Sequence, residues 1–284
     1  MNKSILRALA FCLAVIPAFS SHADRLKEMI SPINNPTNFE DPRIDTEIRP
    51  IYAYHELDDK FVTAGGNVRL YAVQARFAIN DRWGIIATKD GWIDFNPNSV
   101  LNDDTGLADI AAGVKYAFAK ADDFIASAAL RYEAATGDED VLQGQGDGFI
   151  QPSVSAAWAF DNMNVMASTG LRLRMDDSDS SFWDADLHFD YNMNGFYPTV
   201  EFSMSHVMDA GSRLPIADEG QDLFSFGSTE ADGKTLITCG VGARYRISED
   251  IDWGASYQFP LTSGSGSRVI DFRVITDLIF RFNV

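Results

Sequence analysis

Apolar and polar residues alternate along most of the chain beyond residue 43. In the stretch DIAAGVKYAF, Ile110, Val114 and Phe118 lie on one side, and Asp109 and Lys115 lie on the other. The closing stretch RVITDLIFRFNV repeats this pattern with aliphatic and aromatic residues at every second position. Alternation with a period of two residues is typical of strands whose two faces meet different surroundings. The chain is therefore predicted to consist mainly of such strands.

Twelve segments show this alternation, and the connections between them have a regular pattern too. The segments lie near 43–55, 67–80, 82–94, 107–119, 123–135, 148–160, 164–175, 182–193, 196–208, 234–247, 251–262 and 268–284. Short connections such as NDRW, DNMN and SEDID alternate with longer polar ones such as GDEDVLQGQGD. We therefore predict an all-β fold, a closed antiparallel transmembrane β-barrel of about 12 strands with short periplasmic turns and longer extracellular loops.

A soluble β-sandwich, in the periplasm or outside the cell, would produce the same alternation, so the aromatic residues help to decide. A sandwich would bury nearly every aromatic side chain in one dry layer. In this chain many aromatics gather near the predicted strand ends, as in the two aromatic girdles of a membrane barrel. Examples are Tyr52, Trp83, Trp158, Trp253 and Phe280. The barrel is the preferred prediction, because a sheet that spans hydrocarbon must close on itself to pair its backbone groups.

Three regions follow one another along the chain. Lys3 and Arg7 precede the apolar stretch ALAFCLAVIPAFS and the small residues of SHA, which predicts a cleaved signal peptide over residues 1–23. Residues 24–42 are rich in Pro and Asn and lack periodicity. They could form a periplasmic tether or a plug that enters the lumen, and the tether is the preferred interpretation. Residues 43–284 are predicted to form the barrel, and the expected location is the bacterial outer membrane.

Composition narrows the partners further. The chain has 41 acidic and 23 basic residues and a formal net charge of −18, which argues against nucleic acid as a partner. No run of 18 apolar residues occurs, so no transmembrane helix is predicted. Cys12 falls in the predicted signal peptide, which leaves Cys239 without an intramolecular disulfide. The expected partners are outer-membrane lipid, lipopolysaccharide, a small-molecule solute and the barrel assembly machinery. That machinery would recognise the last strand through Phe280, Phe282 and Val284.

Charged residues fall on the polar face of the strands, which a barrel turns toward its lumen. Those expected to line the lumen and to screen solutes are Lys115, Arg131, Glu133, Arg172, Arg174, Asp184, Asp186, His188, Arg244 and Arg246. Both signs of charge occur, so strong anion or cation selectivity is not predicted. One plausible register sets Arg174 opposite Asp184 and Arg172 opposite Asp186 as cross-strand ion pairs. A channel for small solutes or hydrophobic, including aromatic, compounds is the leading hypothesis.

The long loop at 209–233 contains the apolar stretch LFSF in otherwise polar sequence. Leu223, Phe224 and Phe226 would be out of place in bulk water. We expect these side chains either to fold inward and narrow the pore, or to pack at the outer leaflet of the membrane.

Other functions have weaker support in the sequence. Asp184, Asp186 and His188 share one face of DADLHFD and could serve a hydrolase at the barrel rim, but ion pairing is the preferred interpretation of these residues. His55, at a strand end, is expected to be an ordinary surface residue. The chain has only 4 His, and its acidic loops lack EF-hand spacing, so no enzymatic activity, metal site or cofactor is predicted. A third hypothesis is a structural or adhesive surface barrel whose acidic loops bind ions or partners.

The stretch at roughly 100–160 resembles an outer-membrane family of phenol-degradation (MetA-pathway) transporter-like barrels. The family's Gly-x-x-Asp and Gly-x-Lys-Tyr motifs are matched by Gly106, Asp109, Gly113, Lys115 and Tyr116. Its Pro-Thr-Gly-Asp strand end and Gly-rich loop are matched by Thr136, Gly137, Asp138, Gly144, Gly146 and Gly148, with Ala135 where the family usually has Pro. The resemblance implies a small channel or a transporter of hydrophobic compounds.

Overall fold

The computed structural model describes residues 25–99 and 101–282, and these form a closed β-barrel. The strands are β1 (Glu47–Leu57), β2 (Gly66–Ala78), β3 (Trp83–Lys89), β4 (Trp92–Pro97), β5 (Asp104–Leu107), β6 (Ile110–Lys120), β7 (Phe124–Ala134), β8 (Phe149–Phe160), β9 (Met163–Arg174), β10 (Ser181–Tyr191), β11 (Phe196–Asp209), β12 (Thr235–Ser248), β13 (Ile251–Pro260) and β14 (Phe272–Arg281). All except β4 and β5 form a ring of antiparallel neighbours, which β1 closes by pairing with both β2 and β14. The predicted closed barrel of 12 strands is confirmed.

β4 and β5 are the two extra strands, and they arise from interruptions in the predicted third and fourth segments. β3 and β4 both pair with β2, at Ala75–Ala78 and Gly66–Tyr71 respectively. The chain between them turns at Gly91, whose φ of +128° is disfavoured for other residues. A Cβ at this position would lie 2.6 Å from the carbonyl oxygen of Tyr71. The ladder between β3 and β6 therefore ends where the one between β4 and β5 begins.

The first and last strands begin later than the sequence pattern predicts, at Glu47 and Phe272 instead of residues 43 and 268. Arg43 does not join the sheet, because its guanidinium and its backbone N–H both bind the carboxylate of Asp41. The predicted signal peptide, residues 1–23, and Val284 of the predicted assembly signal lie outside the described residues.

The two faces of the wall differ as the alternation predicts, with polar side chains turned inward and apolar ones outward. On β10, Trp183 and Leu187 are each 43% exposed, whereas Asp184, Asp186 and His188 are buried. Large exposed aromatics also occur at the short-turn end of the barrel, for example Trp83 and Phe160. A sandwich would bury its aromatic face, so this polarity is that of a barrel with an apolar outer belt. Among the described residues, no helix is long and apolar enough to cross a membrane.

Candidate functional site

The bore of the barrel contains the chain's own N-terminal stretch, residues 25–46, which we call the inner segment. After a 3-10 turn at Arg25–Lys27, it continues without regular structure up to β1. Its apolar residues Met29, Ile30 and Ile33 are fully buried. Inward-facing polar side chains of several strands form hydrogen bonds with it, as buried polar groups require. The segment thus fills space that an open pore would leave to water.

Glu201 on β11 holds the middle of the inner segment. Its carboxylate accepts hydrogen bonds from the backbone N–H of Ile33 (2.8 Å) and Asn34 (2.7 Å) and from the Asn34 side-chain amide (2.5 Å). The same carboxylate lies 2.6 Å from Nδ1 of His188, whose Nε2 lies 2.9 Å from Asp190. An imidazole between two carboxylates donates from both nitrogens and is therefore protonated. His188 thus helps to fix Glu201, which binds the segment.

The constellation that a hydrolase would need is not formed. His188 is fully buried and bonds to Asp190 and Glu201, neither of which is one of the predicted partners. Asp184 is occupied by the guanidinium of Arg172, at 2.7 Å and 3.0 Å. One oxygen of Asp186 accepts a hydrogen bond from the side-chain amide of Asn35 in the inner segment. A protonated imidazole with both nitrogens engaged has no free lone pair with which to act as a general base.

Two arginines that share Asp277 hold the part of the inner segment just before Ile33. Arg49 and Arg244 share the carboxylate of Asp277, with Arg244 Nη1 at 2.6 Å and Arg49 Nε at 2.8 Å. The remaining donors bind backbone carbonyls of the segment, at 3.1 Å to Ser31 from Arg244 and at 2.8 Å to Pro32 from Arg49. Because one carboxylate serves two guanidinium groups, the segment's carbonyls supply the acceptors that the wall lacks.

Glu40 is the charged anchor of the inner segment near the turn end of the barrel. Arg76 on β2 binds both its carboxylate oxygens, at 3.0 Å and 2.7 Å, and Lys115 on β6 lies 2.7 Å from one of them. Burial alone would raise the pKa of Glu40, but the charges of Arg76 and Lys115 outweigh it and lower the pKa to about 2. The Glu40 carboxylate is therefore ionised at any physiological pH.

At the end that carries the long loops, loop 209–233 folds inward over the bore. Phe224 and Phe226 are buried in an apolar cluster, where Phe224 meets Phe95 edge-to-face (centroids 5.5 Å apart) and Phe226 stacks on Phe61 (5.7 Å). Leu223 packs against the same cluster and is only partly buried. The sequence left two positions for these side chains, inside the barrel or at the outer leaflet of the membrane, and in the structure they lie inside.

Asp222 attaches the tip of this loop to the wall. Its carboxylate accepts two hydrogen bonds from Arg273 on β14, at 2.7 Å and 3.0 Å. Arg273 also donates to Nδ1 of His55, whose Nε2–H donates to the carbonyl of Val269. Burial would raise the pKa of Asp222, but the Arg273 charge outweighs it and lowers the pKa to about 2. The surface position expected for His55 is wrong, because the ring is buried inside the barrel and orients Arg273.

Between the inner segment and the loop tip lies a chamber made of two small adjoining cavities. Both cavities touch Thr37, Lys89 and Leu223. The smaller one is lined mainly by polar and charged groups, including Lys89, Asp109, Glu133, Arg172 and Asp222. The larger one has an apolar wall formed by Ile51, Val68, Leu70, Ala72, Ile93 and Ala108. The chamber is therefore amphipathic.

The predicted lining residues separate into two groups. Eight are buried with side chains on the inner face: Lys115, Arg131, Glu133, Arg172, Asp184, Asp186, His188 and Arg244. Arg174 and Arg246 are partly buried near the two ends of the barrel. Glu40, Lys89 and Asp222 were not predicted, because each lies outside or at the edge of the regular alternation. Lys89 binds Glu133 at 2.5 Å and is the basic group shared by the two cavities.

The predicted pairing of Arg174 with Asp184 and of Arg172 with Asp186 is wrong. In the ladder between β9 and β10, Arg172 lies opposite Phe182 and Asp184 lies opposite Gly170. The guanidinium of Arg172 reaches Asp184 diagonally, a distance that long side chains span easily. Arg174 lies beyond the ladder and binds Asp209 at 2.9 Å. Each residue of β9 therefore lies opposite a residue of β10 that is four positions earlier in the chain than predicted.

The motif residues of the resemblance meet in space. The carboxylate of Asp109 accepts hydrogen bonds from the backbone N–H of Thr136, Gly137 and Gly144, at 2.9–3.0 Å. Asp138 in turn accepts from the backbone N–H of Leu107 at 2.6 Å. These bonds fix the Gly-rich loop over the entrance of the chamber, next to Lys89, whose Nζ lies 3.7 Å from Asp109.

Within residues 25–99 and 101–282, no group of three or more His, Cys, Asp or Glu side chains is placed to hold a metal ion. No family model and no curated protein matches the chain.

Comparison with solved structures gives the class of fold, that of the β-barrels of bacterial outer-membrane proteins. The chain is similar to the COG4313 outer membrane channel from Pseudomonas putida F1, with a TM-score of 0.60 and 15% identity over 89% of this chain and 100% of that one. It is also similar to the NanC porin, with a TM-score of 0.52 and 11% identity over 84% of this chain and 100% of that one. A third similar structure is the beta domain of the Bordetella autotransporter Brka, at TM-score 0.50, 11% identity, and coverage of 84% and 100%. At these identities the likeness concerns the fold.

Proposed function

We propose that this protein is a bacterial outer-membrane channel for small solutes or hydrophobic compounds, including aromatic ones, and that the inner segment is its plug. The observation that carries this proposal is the closed ring of strands with an apolar outside and a polar bore. In water the apolar outer face of such a ring would be exposed, whereas in a membrane it would contact lipid and the closed ring would pair all backbone groups. Lipid and lipopolysaccharide would then contact the exposed apolar belt.

The amphipathic chamber supports hydrophobic compounds as solutes. The apolar wall formed by Ile51, Val68, Leu70, Ala72, Ile93 and Ala108 is unusual for a purely water-filled bore. An aromatic or aliphatic group would lie against this wall, and a polar group of the same solute would face Lys89 and Glu133.

Passage through the bore requires the inner segment to move. The segment is attached mainly by hydrogen bonds with charged side chains: Glu201 accepts, and Arg49, Arg244 and Arg131 donate. Hydrogen bonds to charged groups contribute about 1.5–3 kcal/mol each. The resting channel is therefore closed or narrow, and a change of any one anchor shifts the balance toward the open state.

Single-channel recording in planar bilayers tests this proposal. We expect small or rare openings for the wild type and openings about tenfold more frequent for Glu201→Gln, which weakens the bonds to Ile33 and Asn34. Glu249→Gln, at an exposed turn residue, is the matched control and should behave as the wild type. Folded barrels that conduct in neither form would contradict the channel.

The last strand belongs to the same proposal. β14 ends near Phe280 and Phe282, and Phe282 is exposed on the outer face. We propose that the assembly machinery recognises the strand through these aromatic residues, together with Val284.

A further inference from the structure

We propose that Arg76 and Lys115 form a binding site for the carboxylate group of a small organic acid, and that Glu40 of the inner segment occupies this site as an internal ligand. The proposal deepens the proposed function and rests on it, because the site becomes available only when the segment moves. It names one chemical class of solute, monocarboxylic acids.

The geometry around Glu40 is that of a carboxylate site. Arg76 presents Nε and Nη2 to the two carboxylate oxygens in parallel, at 3.0 Å and 2.7 Å, which is the bidentate arrangement that guanidinium groups use for free carboxylates. Lys115 adds a third charged donor at 2.7 Å. All three side chains are buried, so the interaction is little screened by water.

The wall prepares this site without help from the ligand. Arg76 is oriented by two groups of the wall itself, Glu47 at 3.1 Å and Gln74 at 3.3 Å. Its free edge therefore points toward the bore whether or not Glu40 is present. Glu40, by contrast, belongs to a stretch without regular structure that crosses the bore. A preformed receptor in the wall and a ligand on a separate element distinguish this contact from an ordinary ion pair within a sheet.

If the segment left the bore, positively charged side chains of the wall would lose their partners. Within the described part of the chain, the only carboxylate within 4.0 Å of Lys115 is that of Glu40, and Arg131 has no carboxylate at that distance. Arg131 instead binds the carbonyl oxygen of Thr37 and the hydroxyl of Thr88. Without the segment, Arg76, Lys115 and Arg131 would face the bore, and Glu47 would be the one carboxylate of the described residues within 4.0 Å of any of them.

Uncompensated buried charge is costly, so an anion would be drawn to this position. A carboxylate that enters the bore supplies the missing charge and stabilises the state in which the segment is displaced. Solute and segment would thus compete for the same two donors, and a ligand that binds only the displaced state shifts the population toward it.

Chemical rescue tests the site without any need for conduction. In Glu40→Ala, sodium acetate should occupy the vacated position and raise the temperature at which the purified barrel loses its heat-modifiable folded form. We expect acetate to bind this variant at least about tenfold more tightly than the wild type, whose site is filled. Sodium chloride at equal ionic strength is the reference, since general screening affects all variants alike.

Two matched variants separate a built site from a general effect of the anion. Glu28→Ala removes an exposed carboxylate from the same segment and should show no acetate dependence. Glu40→Ala combined with Lys115→Met removes one donor and should lose the rescue. A folded Glu40→Ala variant that responds equally to acetate and chloride would overturn the proposal.

Glu40→Gln, which keeps the volume of the side chain, provides a second measurement if the alanine variant does not fold. In bilayers under a KCl gradient, its reversal potential should shift toward anions, and Lys115→Met should reverse that shift. An unchanged reversal potential in a conducting Glu40→Gln channel would count against the site alone. Absence of conductance in every variant, with acetate rescue intact, would count against the channel alone.

Discussion

At the scale of single residues, buried charges occupy the place that apolar side chains take in a soluble core. Alternation in the sequence predicts which strand residues point inward, and Arg172, Asp184 and Arg244 lie where it indicates. It cannot predict Glu40 or Asp222, since both belong to stretches without a period. Each of them pairs with a wall residue that is distant in sequence and otherwise lacks a partner of opposite charge. Which wall residue this is depends on how the strands are arranged once the ring has closed.

The attachment of Asp222 to Arg273 gives a pH dependence whose direction follows from the lowered pKa. A carboxyl group held at about 2, below its usual value of about 3.9, stabilises the attached loop at every pH above about 4. That contribution is lost as the pH falls from about 4 toward 2. We expect pepsin to cut near Leu223 and Phe224 slowly at pH 4 and much faster at pH 2.5.

Asp222→Asn separates this effect from the pH profile of the protease itself. The variant has no charge to lose, so its loop should already be cut rapidly at pH 4. Equal cleavage rates for wild type and variant at pH 4 would show that the Asp222–Arg273 contact does not hold the loop.

At the scale of elements, all twelve predicted strand segments are present, because an apolar outer face and a polar inner face impose the period on each strand. The interruption at Gly91 and the register of β9 against β10 were not predictable. The first depends on a positive φ at Gly91 and the second on the conformation of the loop between β9 and β10, and alternation encodes neither. A shift in register along the strand leaves the inward face unchanged as long as it is an even number of residues.

The loop that Asp109 organises provides a prediction at this scale. Asp109→Ala removes the acceptor for the N–H groups of Thr136, Gly137 and Gly144. We expect the local stability of the loop at 135–148 to fall by about 2–4 kcal/mol, since charged hydrogen bonds contribute about 1.5–3 kcal/mol each and are not additive. Hydrogen exchange at Gly137 and Gly144 should accelerate by about 30-fold or more.

The barrel itself should remain intact in Asp109→Ala, because the ring of strands does not depend on this loop. Asp140→Ala, at an exposed position in the same loop, is the control and should exchange at the wild-type rate. Acceleration in both variants would assign the protection to something other than Asp109.

For the whole molecule, the sequence predicts the barrel wall better than it predicts what fills the bore. The preference for a tether over a plug at residues 24–42 followed from composition, and Pro- and Asn-rich sequence without a period is compatible with either role. What holds the segment in the bore is a set of hydrogen-bonding side chains on different strands, such as Glu201 and Arg244. These side chains come together only when the barrel has closed. The one signal in the sequence for a segment inside the bore is that the inner face carries charged residues without enough partners of opposite charge on the wall.

A disulfide between Asn34→Cys and Gly240→Cys, in a Cys239→Ser background, would show that the bore holds the inner segment. A Cβ on Gly240 would lie 2.6 Å from Cγ of Asn34, which places two cysteines within bonding range. Asn34→Cys with Glu249→Cys, in the turn after β12 and about 30 Å from Gly240 along the strand direction, is the control. We expect folded barrels isolated from membranes to carry the first disulfide and to lack the second. Folded barrels in which the first pair stays reduced under oxidising conditions would contradict it.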